Sequence, residues 1–482
     1  MWGSKMQKYI EKAFLAVFIV VLGIVVGFCY HGKYYYISTS SYIIATIIIL
    51  GLFIFYLFAL DKLEKKLKFR GREYAKCILL VWGIALFWVG NYIKGEPTSD
   101  FWSIYESVAA FVEGEAIDWT VYARWENNLP LFCLLCIVSK VGAILGVPDV
   151  IYSMAAFNII LTILSGYCIY WLIGKYTKES PVYMWFGLIV YMGFVPLWGS
   201  MYYVYTDGIS MGFSVIGMTT CVYAMQRGRK YFFLAGLIWG IAFLIKPTAI
   251  FCALGFGITQ LVFRNFKSFY KSMLIMLIGF ILVNCGFSMV KEKLPIHEYS
   301  AEYKMPIQFW IALGMFGTGT YEENGWFIAQ CMVDYDYEGR VEFCNQVIKD
   351  NINILFDAEH IRHKIKQNFA DGHFGLREYT SNVTNDYFFV DGRYNKTVTV
   401  ILSSYFYVTL LMMWLAGCKM IRKGSAEAEL LLTIFIDLFG LILFLIVWEA
   451  NNRQLYNHIP WFATGLALSM YYLLHKKEKQ LK

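Results

Sequence analysis

Charge is scarce in this sequence. Asp, Glu, Lys and Arg make up 16% of its 482 residues, against 58% hydrophobic. Soluble domains run at about a quarter charged and 45–50% apolar. Long stretches carry no charge at all, which excludes one large soluble core and calls for membrane spans of about 20 apolar residues each. Several signatures are missing too. There is no Walker loop, no G-x-S-x-G and no H-E-x-x-H, so nucleotide-driven chemistry has no support. The first apolar run, from about residue 13, lacks a small-residue cleavage site and reads as an uncleaved anchor. No low-complexity tract and no internal repeat is visible. The eleven cysteines fall mostly inside apolar runs, where cysteine acts as a small hydrophobe. Cys133 and Cys136 form a C-x-x-C without a second pair or a strand pattern. Cys331 and Cys344, in a polar segment, are candidates for a disulfide.

What is present is a series of apolar runs. Twelve are candidate spans: 13–30, 41–60, 77–93, 150–173, 181–198, 206–225, 231–246, 248–263, 273–290, 398–418, 430–448 and 459–475. The pair split by "KPT" is short and reads as a tight helical hairpin. Lys and Arg mark the cytoplasmic side. Clusters before the first span, between the second and third, around 175–178, 227–230, 264–271 and 419–423, and in the tail hold 25 of the 42 basic residues and about eight acids. Alternation then puts both termini in the cytoplasm, provided that "LFCLLCIVSKVGAILG" (131–146) lies along the outer face. The net charge of +7 is therefore a topology signal and not a nucleic-acid signal. The expected class is an all-α polytopic membrane protein with about 12 transmembrane helices. Its parts are an N-terminal hairpin and basic loop (1–76), a main membrane domain (77–475) and a basic tail (476–482). Two long extracytoplasmic loops, 94–149 and 291–397, carry interfacial helices, with amphipathic segments near 338–350 and 357–369. Residues 371–397 read as loop.

Four polar features stand on the outer side. "SDFWSIYESVAAFVEGE" opens with Asp100 and places apolar residues at helical spacing, as an interfacial helix does. The bland reading makes Asp100 a helix cap. "YYVYTDGIS" sets Asp207 at the start of a span; Gly208 and Gly212 form a packing G-x-x-x-G, and Asp207 too could be a cap. Lys246-Pro247, at the hairpin tip, either snorkels or faces a cavity and binds an anion. "WEANNRQLYNHIP" offers Glu449 and Arg453 at i and i+4, either a helical salt bridge or an arginine aimed at a phosphate. His31, His297, His360, His363, His373 and His458 match no metal motif. "NVT" at 382 and "NKT" at 395 match the weak glycosylation pattern.

These segments, in this order and with this sidedness, resemble the GT-C superfamily of integral-membrane glycosyltransferases. The branch they are most similar to includes the bacterial protein O-mannosyltransferases and the lipid A aminoarabinose transferase, and is glycosyltransferase family 39-like. The resemblance rests on "SDFWSIYESVAAFVEGE", "YARWENNLPLFCLLCIVSKVGAILG", "YTDGIS", "LAGLIWGIAFLIKPTAI" and "WEANNRQLYNHIP". Phe101 stands where many relatives carry a second acid, and Gln454 follows Arg453 where they carry tyrosine. The resemblance implies transfer of a sugar, usually with inversion, from a polyprenyl-phosphate-linked donor to an extracytoplasmic hydroxyl on a glycan, lipid or protein. Asp100 is the expected base; Asp207, Lys246, Glu449, Arg453, Arg124 and Tyr205 are expected to bind substrate. No cofactor is required, and a divalent metal at Asp100 and Asp207 is left open. The expected partners are the lipid donor, the acceptor and membrane lipids in a bacterial plasma membrane. A secondary transporter or lipid-linked-oligosaccharide flippase is the alternative; that class tends to show paired repeats, and none is visible here.

Overall fold

The computed structural model describes residues 2–30, 37–67, 71–263, 266–321, 323–376, 395–423 and 428–475, and every regular element among them is helical. His31, Lys68, Arg70, Arg264, the "NVT" at 382, residues 377–394 of the expected loop and the tail 476–482 lie outside the described residues.

The apolar runs fold as long helices: α1 (Trp2–Cys29), α2 (Thr39–Leu67) and α3 (Gly71–Ile93). Three helices follow at one end of the bundle, α4 (Ser99–Glu113), α5 (Trp119–Arg124) and α6 (Leu129–Ile144). Then come α7 (Val150–Tyr176), α8 (Pro181–Met192), α9 (Val195–Gly199) and α10 (Thr206–Arg227). The glycine-rich hairpin is α11 (Lys230–Ile245) and α12 (Ile250–Phe263), followed by α13 (Phe266–Lys291). A polar insertion holds α14 (His297–Tyr303), α15 (Gln308–Met315), α16 (Gly325–Val333), α17 (Tyr337–Asn351) and α18 (Ala358–Phe369). The chain re-enters the bundle as α19 (Asn395–Lys423), α20 (Glu429–Val447) and α21 (Ile459–Leu474).

Nine helical segments among the described residues are long and apolar enough to cross a membrane, so this is a multi-pass membrane protein. The expected twelve is not matched, for identifiable reasons. The run at 181–198 breaks at Gly193 into α8 and the short α9, because Pro196 begins a new helix rather than continuing the old one. The two arms of the "KPT" hairpin are 16 and 14 residues long, and α21 is 16. The hairpin arms also diverge: Gly236 of α11 approaches the Met276 carbonyl of α13, while Gly255 of α12 approaches the Thr433 carbonyl of α20. A Cβ at Gly236 would stand 1.9 Å from that carbonyl oxygen, so only glycine permits this approach. Burial separates centre from perimeter. α10 hides 67% of its apolar window inside the bundle, α2 only 17% and α13 only 11%.

Helices α7 and α10 run parallel, since Gly208 packs on Asn158 and Gly212 on Leu161. This is the packing use of the G-x-x-x-G. Their first turns therefore mark one end of the bundle, called the site end below. α6 begins beside Tyr205, just ahead of α10, and its Gly142 packs on Ser153 near the start of α7. Both ends of α6 thus lie at the site end. With the turn before it α6 is itself long and apolar enough to span. Lys140 of α6 donates to the Val112 carbonyl at the end of α4, at 3.2 Å.

The insertion has a small core of its own, formed by residues such as Phe309, Leu313, Phe327 and Ile328. The amphipathic segments expected near 338–350 and 357–369 are α17 and α18. Cys331 and Cys344 lie in this core as thiols, fully buried, with sulfurs 3.6 Å apart.

Candidate active site

Asp100 and Asp207 occupy the second positions of α4 and α10, but neither caps its helix. The cap positions belong to Thr98 and Tyr205, and neither makes a side-chain cap bond. The cap-only readings of both acids are therefore overturned, and the two carboxylates look into the space between the helices.

The Tyr205 hydroxyl donates to Asp100 Oδ2 at 2.8 Å and lies 2.9 Å from Asn128 Oδ1. Its single proton serves one acceptor at a time. Burial, then the charge of Asp100, pushes this phenol well above its ordinary range against the opposing Arg453, so it stays a donor. Asp100 Oδ1 accepts no hydrogen bond among the described residues, and the side chain is half-buried. Ser99, immediately before it, has φ +50°, a left-handed conformation that costs a non-glycine residue about 1–2 kcal/mol. Strain of this kind collects where a side chain must be aimed.

The Arg453 guanidinium sits over the Tyr205 ring, 4.9 Å from its centre. Arg453 Nε is 3.6 Å from Asp207 Oδ2, and Lys246 Nζ forms an ion pair with Asp207 Oδ1. Asp207 is 1% exposed and Lys246 7%, so Lys246 does not snorkel. It reaches the acid because α11 ends one residue earlier and Lys246 adopts an extended backbone before Pro247. Two cations from distant segments thus converge on one buried carboxylate, beside the tyrosine that holds the second acid.

Glu449 and Arg453 do not share a helix. α20 ends at Val447, Trp448 and Asn451 are extended, and Arg453 falls in a tight 3₁₀ turn, Asn452–His458. The intrahelical i, i+4 reading therefore fails. Glu449 is buried, and its charge acts on Lys364 of α18. Arg124, the last residue of α5, stacks over Tyr303 at 5.4 Å. The charges of Asp100, Glu449 and Arg124 all act on the Tyr321 phenol, which burial and the two acids raise. Among the described residues no three His, Cys, Asp or Glu side chains converge as a ligand set, and a divalent ion at Asp207 would meet two positive charges. The donors there do not fit a divalent ion.

Several residues escaped the sequence reading. Asn128 and Tyr321 carry no pattern that marks them. Lys364 sits on an amphipathic helix yet is 1% exposed, donating to the Gly314 carbonyl at 3.1 Å and to the Trp448 carbonyl. Asp437 had a signal, an acid inside the apolar run of α20. It is fully buried, 3.0 Å from His458 Nδ1.

Residues 136–288 match the family described as dolichyl-phosphate-mannose-protein mannosyltransferase. This match, over α6 to α13, bears out the resemblance to the GT-C glycosyltransferases. Two solved structures are similar in outline. One is the oligosaccharyltransferase AglB from Archaeoglobus fulgidus, in complex with an inhibitory peptide and a dolichol-phosphate. It is 11% identical with a TM-score of 0.42, over 81% of this chain and 50% of that one. The other is ArnT from Cupriavidus metallidurans bound to undecaprenyl phosphate, 12% identical with a TM-score of 0.36, over 82% of this chain and 77% of that one. The chain thus spans half the length of the archaeal protein. No curated protein matches the sequence significantly.

Proposed function

We propose that this protein is a membrane glycosyltransferase that moves a sugar from a polyprenyl-phosphate-linked donor to the hydroxyl of an extracytoplasmic acceptor, with inversion. The observation that carries this reading is the convergence of Lys246 and Arg453 on Asp207, next to a tyrosine-held, half-buried Asp100. The family match over residues 136–288 supports it.

The chemistry needs a base and a place for a leaving phosphate. As the new C–O bond forms, the acceptor hydroxyl must lose its proton. Asp100 Oδ1 is open to take it while Tyr205 holds Oδ2. On the opposite face of the sugar the bond to the lipid phosphate breaks and negative charge grows on the phosphate oxygen. Lys246 and Arg453 stabilise that charge, and Asp207 keeps both cations in place before substrate arrives. Arg124 and Glu449 are the remaining charged side chains proposed to meet the substrates. The site end is then the extracytoplasmic face, and both termini are cytoplasmic.

The test is glycan mass spectrometry of cell envelopes from wild type, a deletion strain and Asp100→Asn at matched protein level. Loss of the same glycan in deletion and variant is expected; wild-type glycans in the variant would remove Asp100 from the mechanism. One observation favours transport instead, the Asp437–His458 pair inside the bundle. A transporter would keep its function in Asp100→Asn and lose it in Asp437→Asn.

A further inference from the structure

The turn that carries Arg453 is fastened to four separate segments. Asn452 donates to both carboxylate oxygens of Asp371, at 2.8 and 2.7 Å. The Tyr456 hydroxyl bonds the hydroxyl of Ser200. Asn457 donates to Thr248 Oγ1 at 3.1 Å, and His458 Nδ1 lies 3.0 Å from Asp437 Oδ2. The last anchor differs in kind. Asp437 stands near the middle of α20, one of the nine membrane-length helices, with apolar neighbours on both sides. It is 0% exposed and His458 1%. Ionisable groups inside a membrane bundle are costly and usually serve function. A neutral side chain would make one hydrogen bond at lower cost.

The geometry couples this pair to both cations. Arg453 shares a single tight turn with His458. Asn457, the neighbour of His458, holds Thr248, and Thr248 follows Lys246 by two residues at the hairpin tip. A carboxylate accepting from Nδ1–H fixes the tautomer and ring plane of a histidine. With the ring fixed, the turn and the tip keep one relative position. Asp437 Oδ1, His458 Nε2 and Asn457 Oδ1 have no hydrogen-bond partner among the described residues, so no second bond of these atoms duplicates the anchor.

We infer that Asp437 and His458 are a positioning pair, which sets Arg453 and Lys246 at the spacing that receives the leaving phosphate. The inference rests on the transferase reading for what is positioned. The test uses full-length purified protein carrying Asp437→Asn or His458→Gln, with two readouts. The first is hydrogen–deuterium exchange of the peptide covering 449–458, which is independent of activity. The second is transfer from a radiolabelled polyprenyl-phosphate hexose to membrane extract of the deletion strain. Exchange in that peptide should rise about tenfold or more, since a broken anchor opens locally. Turnover should fall about 10–100-fold, as for outer partners of a functional group, with donor KM within about threefold. Combining Asp437→Asn with Arg453→Lys should be no worse than about threefold below the poorer single variant, because both act through one guanidinium. Unchanged exchange in both variants overturns the inference, as do effects that multiply with Arg453→Lys. If neither variant accumulates in membranes, the pair is a folding element and the inference is likewise overturned. If wild type transfers no sugar while exchange responds, the transferase reading fails and the anchor stands.

Discussion

Asp100 and Asp207 are the same residue at the same position of two helices, and they sit in opposite surroundings. Asp100 is half-buried, holds one tyrosine hydrogen bond and keeps one oxygen open. Asp207 is 1% exposed with a lysine on one oxygen and an arginine near the other. An oxygen already engaged by a cation offers no place to a substrate hydroxyl; an oxygen with no hydrogen bond can accept one. On the proposed mechanism the two acids take their roles from their neighbours, not from their position in the helix.

Removing the clamped acid should have the largest effect. Asp207→Ala leaves the buried Lys246 without its carboxylate, next to the partly buried Arg453, and losing one partner of a buried ion pair costs about 3–5 kcal/mol. Lower thermal stability of the purified protein and loss of transfer together are expected; normal stability would mean that the cations relax to solvent. Asp100→Asn should separate the two acids cleanly. Transfer falls about 10³-fold, within the range for a lost general base, while the melting temperature stays within about 2 °C of wild type because no buried charge is orphaned.

Smaller changes sharpen the contrast through the shared tyrosine. Tyr205→Phe removes the bond to Asp100 and keeps the ring under Arg453, so turnover should drop about tenfold, the worth of a hydrogen bond to a charged group. Tyr205→Leu also removes the ring and should lose about another threefold. Equal losses in the two variants would show that the ring contributes nothing. The smallest effect is pH-dependent. Burial lowers Lys364 to about 7, against the pull of Glu449. In the unfolded chain a lysine titrates near 10.4, so between about pH 7 and 10 the unfolded state binds more protons. Stability from this group therefore rises with pH across that window. Lys364→Met should flatten the melting-temperature profile from pH 7 to 9; an unchanged slope would assign it to other groups.

Most of the long membrane helices and the amphipathic helices were legible because apolar periodicity is a local signal. α4, α6, α17 and α18 fell where spacing put them. The break at Gly193 was harder to see, since a proline after an apolar run marks a new helix only when the chain must turn. The site was half legible. Asp100, Asp207, Lys246 and Arg453 stood out as charges beside apolar runs, yet their sequence context suggested caps, snorkelling and a helical salt bridge.

Composition and charge alone determined a multi-pass helical protein with its polar mass in two long loops, because burying uncharged 20-residue runs leaves few alternatives to a bilayer. The pairings were decided by tertiary structure alone. Lys246 meets Asp207 across 39 residues, Tyr205 meets Asp100 across 105, and Ser200 meets Tyr456 across 256. Hydrogen bonds and ion pairs are short-ranged, so which partners meet depends on how α10, the hairpin and the turn after α20 pack at one end of the bundle.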